Sequence, residues 1–346
     1  MKDIDLKNIP VFDLNDFDFS ANADPGKNQD FADALGKAFH HYGFVRLKNH
    51  GIQEKFLKAA EDSLQGFFAL SQDVKDKYLY PDAQYQVGYV ANVEVANGQQ
   101  EADLKEHFMI CRDAADLYDH LPRNPKIAEL PDFNTNTYNL YGQFEGLIQK
   151  ILEPLALHLE LEQHYFAGHT EQSHNMMRMI HYPAGGNAAS HTDMSMLTLL
   201  RAEKPGLYVT TRDGHEIEVV AEPGELILNG GKSLAALTNN YFKPSVHRVD
   251  VKSKDPRQTI VFFAHMNPDY MLDILPTEKL RNGDWGLAEE SWFQRLSQFP
   301  LSYDQYSQER LAKNFSSLQE QEQGQGQGEE QGNANSNLYQ GTRKVS

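Results

Sequence analysis

The stretch AASHTDMSMLTLL, residues 188–200, sets an imidazole and a carboxylate two positions apart, His191 and Asp193, ahead of an alternating apolar run. In an extended chain, residues two apart point to one face, so both side chains can be offered to one metal ion. The pair alone is equally a solvated turn or a plain His–carboxylate hydrogen bond, and a third ligand has to decide. Mononuclear sites that activate dioxygen use two histidines and one carboxylate on one face and leave the opposite positions open. YFKPSVHRVDV supplies a second histidine, His247, in a β-branched alternating segment 54 positions beyond Asp193. Ten positions further, DPRQTIVFF begins with Arg257 and Thr259, again two apart. A guanidinium fork matches a carboxylate, and a neighbouring hydroxyl can add a hydrogen bond, so these two read as a carboxylate-binding floor.

Other chemistry-bearing residues are set aside. GGKS at 230–233 resembles the end of a phosphate-binding loop, but the glycine needed five positions before Gly231 is Leu226. Cys111 has no histidine at a recognised spacing and reads as a small buried apolar residue. His50, in NHGI, reads as a turn residue. His158, His164, His169 and His174 do not share a helical face and read as a solvated patch.

The elements that would position these residues change character along the chain. IPVFDL and GFVRLKNHGI read as strands, while QDFADALGKAFHHY and QEKFLKAAEDSLQGFFAL read as amphipathic helices. Residues 135–161 carry a long helical pattern, expected to be interrupted at Pro154. From about residue 175, short β-rich segments follow one another between Gly, Pro, Asn and Asp: NMMRMIHYP, SMLTLLRA, GLYVTTRD, IEVVAEPGELILNG, SVHRVDV and QTIVFFAHM. Such spacing predicts a sandwich or barrel. EESWFQRLSQF is expected to be helical, and EQEQGQGQGEEQGNANSN offers almost nothing to bury, so residues 319–346 are expected to be a disordered tail.

Composition narrows the class. The 346 residues carry a formal charge of −17, which argues against a broad phosphate-binding surface and hence against nucleic acid. One cysteine excludes an intramolecular disulfide and fits a reducing compartment. The N-terminus lacks the apolar segment of a signal peptide, and no apolar run is long enough for a membrane helix. The expectation is a soluble cytoplasmic protein with no membrane partner, with a monomer favoured slightly.

His-x-Asp, a strand ending in HRV, and Arg-x-Thr followed by FF together resemble the non-haem Fe(II) and 2-oxoglutarate-dependent oxygenases, in the isopenicillin N synthase-like branch. IPVFDL, GFVRLKNHGI, FFALSQDVKDKY with GYV, DLKEHFMI, GLYV and PGELILNGGKSLAALTNNYFKPSVHRV extend the likeness over roughly residues 9–300. The resemblance implies a mainly β fold with flanking α-helices and a double-stranded β-helix (jelly roll) core. It implies His191, Asp193 and His247 as iron ligands, and Arg257, Thr259 and Tyr182 as cosubstrate-binding residues. Thr259 stands where serine is usual, and Ile180 where plant members often carry asparagine. By rough analogy of position Tyr89, Phe108 and Met177 would face the substrate. The implied activity is oxidation of a small molecule, by hydroxylation, desaturation or cyclisation, with Fe(II), 2-oxoglutarate and O2. Two alternatives are an oxidase of the same fold that does without 2-oxoglutarate and a non-catalytic jelly roll that binds a metal or ligand. The expected organisation is an α/β N-terminal region packing on the core at 1–115, a helical connector at 116–174, the jelly roll at 175–270, a helical segment at 271–318 and the tail at 319–346.

Overall fold

Residues rich in Val, Ile, Leu and Phe that alternate across a pleat bury one or both faces of a sheet, and here they build two. The computed structural model describes residues 8–20, 22–81, 86–91, 102–112, 123–283 and 301–309. Among them the strands are β1 (Val11–Asp13), β2 (Phe44–Lys48), β3 (Gly88–Ala91), β4 (Glu106–Cys111), β5 (Met176–Tyr182) and β6 (Asn187–His191). They continue with β7 (Leu197–Arg201), β8 (Leu207–Thr210), β9 (Glu216–Val219), β10 (Leu226–Gly230), β11 (His247–Asp250) and β12 (Arg257–Ala264). Eight form a major sheet in the order β1-β2-β10-β7-β12-β5-β4-β3, and four form a minor sheet in the order β6-β11-β8-β9. This is the jelly roll expected from the sequence.

Three long helices, α1 (Pro25–Tyr42), α2 (Glu54–Phe68) and, after the single turn α3 (Gln72–Lys75), α4 (Phe133–His158), cover the outer face of the major sheet. Single turns α5 (Ala167–Thr170) and α7 (Glu278–Arg281) flank the longer α6 (Lys232–Leu237). Asp24 caps α1 through its side chain, Pro25 occupies the first turn, and Gly43 ends the helix at φ 70°. That left-handed exit turns the chain directly into β2. None of the described helices is long and apolar enough to cross a membrane.

Two cores result. Between helices and sheet lie Phe67, Phe108, Phe133, Phe144, Met177, Met179 and Phe262. Between the two sheets lie Phe44, Ile180, Tyr182, Leu200, Val209, Val249 and Val261. β12 sorts the faces: Ile260, Phe262 and Ala264 point at the helices, while Arg257, Thr259, Val261 and Phe263 point between the sheets.

Three expectations are corrected. Helix α4 continues through Pro154 to His158. A proline removes one backbone donor and crowds the preceding turn, but buried Leu152, Leu155 and Ala156 hold the last turn against the core. His158 is buried, not solvated: Nδ1 lies 3.0 Å from Asp33 of α1 and Nε2 2.8 Å from the Tyr241 hydroxyl. His191 closes β6 and Asp193 lies in the turn before β7, so the pair does not open a strand. The segments EESWFQRLSQF and 319–346 lie outside the described residues.

Candidate active site

The minor sheet sets the two histidines side by side. His191 at the end of β6 and His247 at the start of β11 are directly paired across the ladder, and their rings lie 4.3 Å apart between centroids. Each Nδ1 meets a backbone carbonyl, Ala189 at 2.7 Å and Ser245 at 3.0 Å. A carbonyl can only accept, so each Nδ1 carries a proton, and in a neutral ring that leaves Nε2 as the atom with the lone pair. The two Nε2 atoms face one carboxylate oxygen, Asp193 Oδ1, at 4.0 Å from His191 and 3.8 Å from His247. The other oxygen, Oδ2, accepts from the Thr198 hydroxyl and the Asn229 amide, each at 2.8 Å.

Three ligand atoms thus lie within 4.8 Å of one another. Imidazole with carboxylate is a donor set suited to Fe(II), and among the described residues no fourth His, Cys, Asp or Glu joins the group. Although the His191 ring keeps an exposed edge, desolvation by the protein around it, then the neighbouring His247 imidazole, lowers it to about 4, so it offers a neutral ring at ordinary pH. Burial pushes Asp193 upward, but the two histidines and the hydrogen bonds from Asn229 and Thr198 outweigh it. Its net position is below the usual carboxylate value.

Neither Thr198 nor Asn229 stood out in the sequence, and Gly231 did so only within GGKS, as a phosphate-loop likeness that was set aside. Thr198 on β7 and Asn229 on β10 are register partners, which brings their polar groups together under Asp193. Gly231 caps α6, and a Cβ built on it would lie 2.0 Å from the Ser195 carbonyl oxygen and 3.0 Å from that of Asp193. The Asp193 carbonyl also accepts from Lys232 N at 2.8 Å. GGKS is therefore the seat of the Asp193 turn, and the absence of a side chain at Gly231 lets the two backbones meet.

Arg257 lies deeper, at the start of β12 and directly opposite Tyr182 of β5. It is 2% exposed, and among the described residues Nη1 and Nη2 have no hydrogen-bond partner. Only Nε is used, on the Lys204 carbonyl at 3.4 Å, and the guanidinium stands 5.5 Å over the Tyr182 ring. A buried cation with two empty donors costs several kcal/mol unless an anion meets it. A fork of two parallel donors fits a carboxylate. Thr259 shares this face but donates to the Arg201 carbonyl at 2.6 Å. Its one proton is committed, so the donation expected from the sequence is not available.

The residues expected to face substrate do not reach this space. Tyr89, Phe108 and Met179 form one cross-strand row, Met177 pairs with Phe262, and all five belong to the helix-side core. A shift of one residue along a strand reverses the face. The inner positions of β5 are instead Arg178, Ile180 and Tyr182, opposite Val261, Thr259 and Arg257.

Comparison with known proteins agrees with this geometry. Residues 9–129 match the family described as non-haem dioxygenase in morphine synthesis N-terminal, and residues 173–266 match the 2OG-Fe(II) oxygenase superfamily. A proline hydroxylase, buaE of Petromyces alliaceus, is 27% identical over 332 residues, covering 89% of this chain and 99% of its own. A crystal structure of a 2OG-Fe(II) oxygenase family protein from Caulobacter crescentus is 30% identical with a TM-score of 0.74, covering 89% of this chain and 99% of that one. A Neurospora crassa protein crystallised in complex with alpha-KG shares the fold at 23% identity, TM-score 0.73, covering 89% and 97%.

Proposed function

From the premise that the chain belongs to the 2OG-Fe(II) oxygenase superfamily and is an Fe(II)- and 2-oxoglutarate-dependent dioxygenase, we propose that His191, Asp193 and His247 hold the iron. Arg257 binds the far carboxylate of 2-oxoglutarate, Tyr182 braces the guanidinium, and the substrate is a small molecule. Bound Fe(II), 2-oxoglutarate and O2 supply the oxidising power, coupling decarboxylation of 2-oxoglutarate to succinate and CO2 with oxidation of the substrate.

The protein's part is positional. The Ala189 and Ser245 carbonyls fix the tautomer of each histidine, and Thr198 with Asn229 fixes which Asp193 oxygen is free. Val261, Leu200 and Val249 keep the space between the sheets apolar, which excludes water and strengthens the attraction between Arg257 and an anion. Thr259 shapes the pocket through its carbonyl-bound hydroxyl and contributes little as a donor.

The observation that carries the cosubstrate reading is the pair of partnerless nitrogens on buried Arg257. Its test is anaerobic: Fe(II) protein titrated with 2-oxoglutarate should develop the weak visible absorption of a chelated 2-oxo acid. Under air, metabolite pools should stimulate succinate release. Substrate oxidation at full rate without 2-oxoglutarate, with no such band, would sink the assignment of Arg257.

A further inference from the structure

Asp193 is held through its backbone as well as through its carboxylate. The four consecutive carbonyls of residues 193–196 all accept from residues 231–233. Lys232 N donates to Asp193 at 2.8 Å, Ser233 N to Ser195 at 3.3 Å and Gly231 N to Met196 at 3.1 Å. The fourth carbonyl, Met194, accepts at 2.6 Å from the Ser233 hydroxyl. That is the one bond of the four made by a side chain, and so the one that a distant residue can reach.

Tyr303, 70 positions beyond Ser233, sets its hydroxyl 3.1 Å from Ser233 Oγ and 2.6 Å from His265 Nδ1. All three side chains are buried. A serine hydroxyl has one proton, and the Met194 carbonyl, which can only accept, takes it. Ser233 Oγ then accepts from Tyr303, whose own proton is thereby committed, and His265 Nδ1 donates to the Tyr303 oxygen. Burial agrees with these roles: it raises the Tyr303 hydroxyl far above its ordinary value and lowers His265 to about 3, so the phenol keeps its proton and the ring is neutral. The result is a one-way series of donors, His265 to Tyr303 to Ser233, ending on the peptide that follows Asp193. Hydrogen bonds in series polarise one another.

Backbone pairing brings Tyr303 to this place. Its N–H donates to the Tyr270 carbonyl at 2.8 Å, and Asp304 N to that of Pro268 at 2.9 Å. Both acceptors lie just after β12, whose last residue, Ala264, accepts from Met196 N at 2.9 Å. The turn that carries Asp193 is thus bonded to residues 231–233 and to β12, and Tyr303 joins those two supports to each other.

Resting on the reading of Asp193 as an iron ligand, we propose that Tyr303 is a positioning residue for that carboxylate. Through Ser233 it fixes the Met194 peptide, and with it the direction in which Asp193 Oδ1 is presented to the metal. Docking of residues 301–309 is thereby coupled to completion of the metal face. Neither a covalent step nor a proton transfer is assigned to Tyr303.

The test reads metal binding and coordination geometry. Full-length, metal-free protein is titrated anaerobically with Fe(II) by equilibrium dialysis, and separately with Co(II), whose weak visible bands report the arrangement of its ligands. Tyr303→Phe keeps the buried ring and removes the hydroxyl. It should displace the Co(II) bands and weaken Fe(II) about threefold or more, the order of one lost hydrogen bond. Ser233→Ala should do likewise, and the double variant should match Ser233→Ala within about twofold, because without that serine Tyr303 has no route to the turn. Thr137→Val removes a different fully buried hydroxyl, bonded to the Phe133 carbonyl in α4. It should lower the thermal midpoint yet keep the parent's Fe(II) affinity and Co(II) bands, which separates positioning from a general loss of stability. Parent-like binding and bands in Tyr303→Phe, or losses that multiply in the double variant, would overturn the proposal. Ser233→Ala tests the same series with Tyr303 in place, so parent-like Fe(II) binding there overturns it even where Tyr303→Phe does not fold. Asp193→Ala, run alongside, keeps the two readings apart. If it binds Fe(II) as tightly as the parent, the iron-ligand reading falls; if it loses the metal while Tyr303→Phe does not, only the positioning role falls.

Discussion

Asp193 divides its work between its two oxygens: Oδ2 is held by Thr198 and Asn229, and Oδ1 faces both histidines. Asp193→Ala should lose high-affinity Fe(II) binding in an anaerobic titration, because it removes one of the three proposed ligands and the charge that would balance the ion. At the far end of the pocket the losses are graded. Arg257→Lys keeps charge but loses the fork, and should raise the 2-oxoglutarate requirement while iron affinity stays. Arg257→Ala should lose more, about 2 to 3 kcal/mol of cosubstrate binding, since a buried carboxylate would be left unpaired. Thr259→Ala should cost under about 1 kcal/mol, because its proton already serves the Arg201 carbonyl. Titrating 2-oxoglutarate against the visible band ranks all three. His191, Asp193, His247 and Arg257 were legible as candidates because the chemistry proposed for them lies in residue type and order, and the structure brings the first three together. Thr198 and Asn229 were not, since a buried Thr or Asn is unremarkable until register brings it under a carboxylate. Tyr89, Phe108 and Met177 were misplaced because one position decides which side of a sheet a residue faces.

At the scale of elements, two junctions fix the site and its frame. The Asp193 turn rests on the N-terminus of α6 with no room for a methyl group at Gly231. Gly231→Ala must displace one backbone, and should weaken iron binding more than it lowers the thermal midpoint, which paired dialysis and melting would show. The second junction joins α1, the end of α4 and Tyr241 through His158. Burial, then Lys279, depresses His158 from 6.5 to about 4. Below about pH 6.5 the unfolded chain takes up a proton that the folded chain refuses, so stability falls as pH drops towards 4, by on the order of 3 kcal/mol for this group. Urea unfolding across that range should show a shallower pH slope in His158→Gln. The strands from β5 onward and α1, α2 and α4 were readable from alternation and helical spacing. β6 was not, because NAASH lacks the β-branched residues that announce a strand. The continuation of α4 past Pro154 depended on tertiary burial that no local pattern carries.

For the whole molecule, the decisive fact is that the first third supplies strands to the sheet. β2 pairs with β10, and β4 pairs with β5. A fragment beginning at residue 116 would bare one edge of β10 and one of β5, together with the apolar face that α1 and α2 cover. Expressed alone, it should aggregate or show no cooperative transition by circular dichroism, while a soluble fragment with a sharp melt would contradict this dependence. Sequence likeness indicated an N-terminal region packing on the core, but which of its strands join which edges is long-range information that composition cannot encode. The same pairing sets a clock on biosynthesis. Val45 meets Leu228, 183 positions later, and at about 5–20 residues per second a ribosome needs roughly 10 to 40 s to deliver the partner. Through that interval β2 leaves the exit tunnel with its neighbour unmade. Yield in a cell should therefore depend on whatever shelters nascent chains, and on translation speed between those two strands.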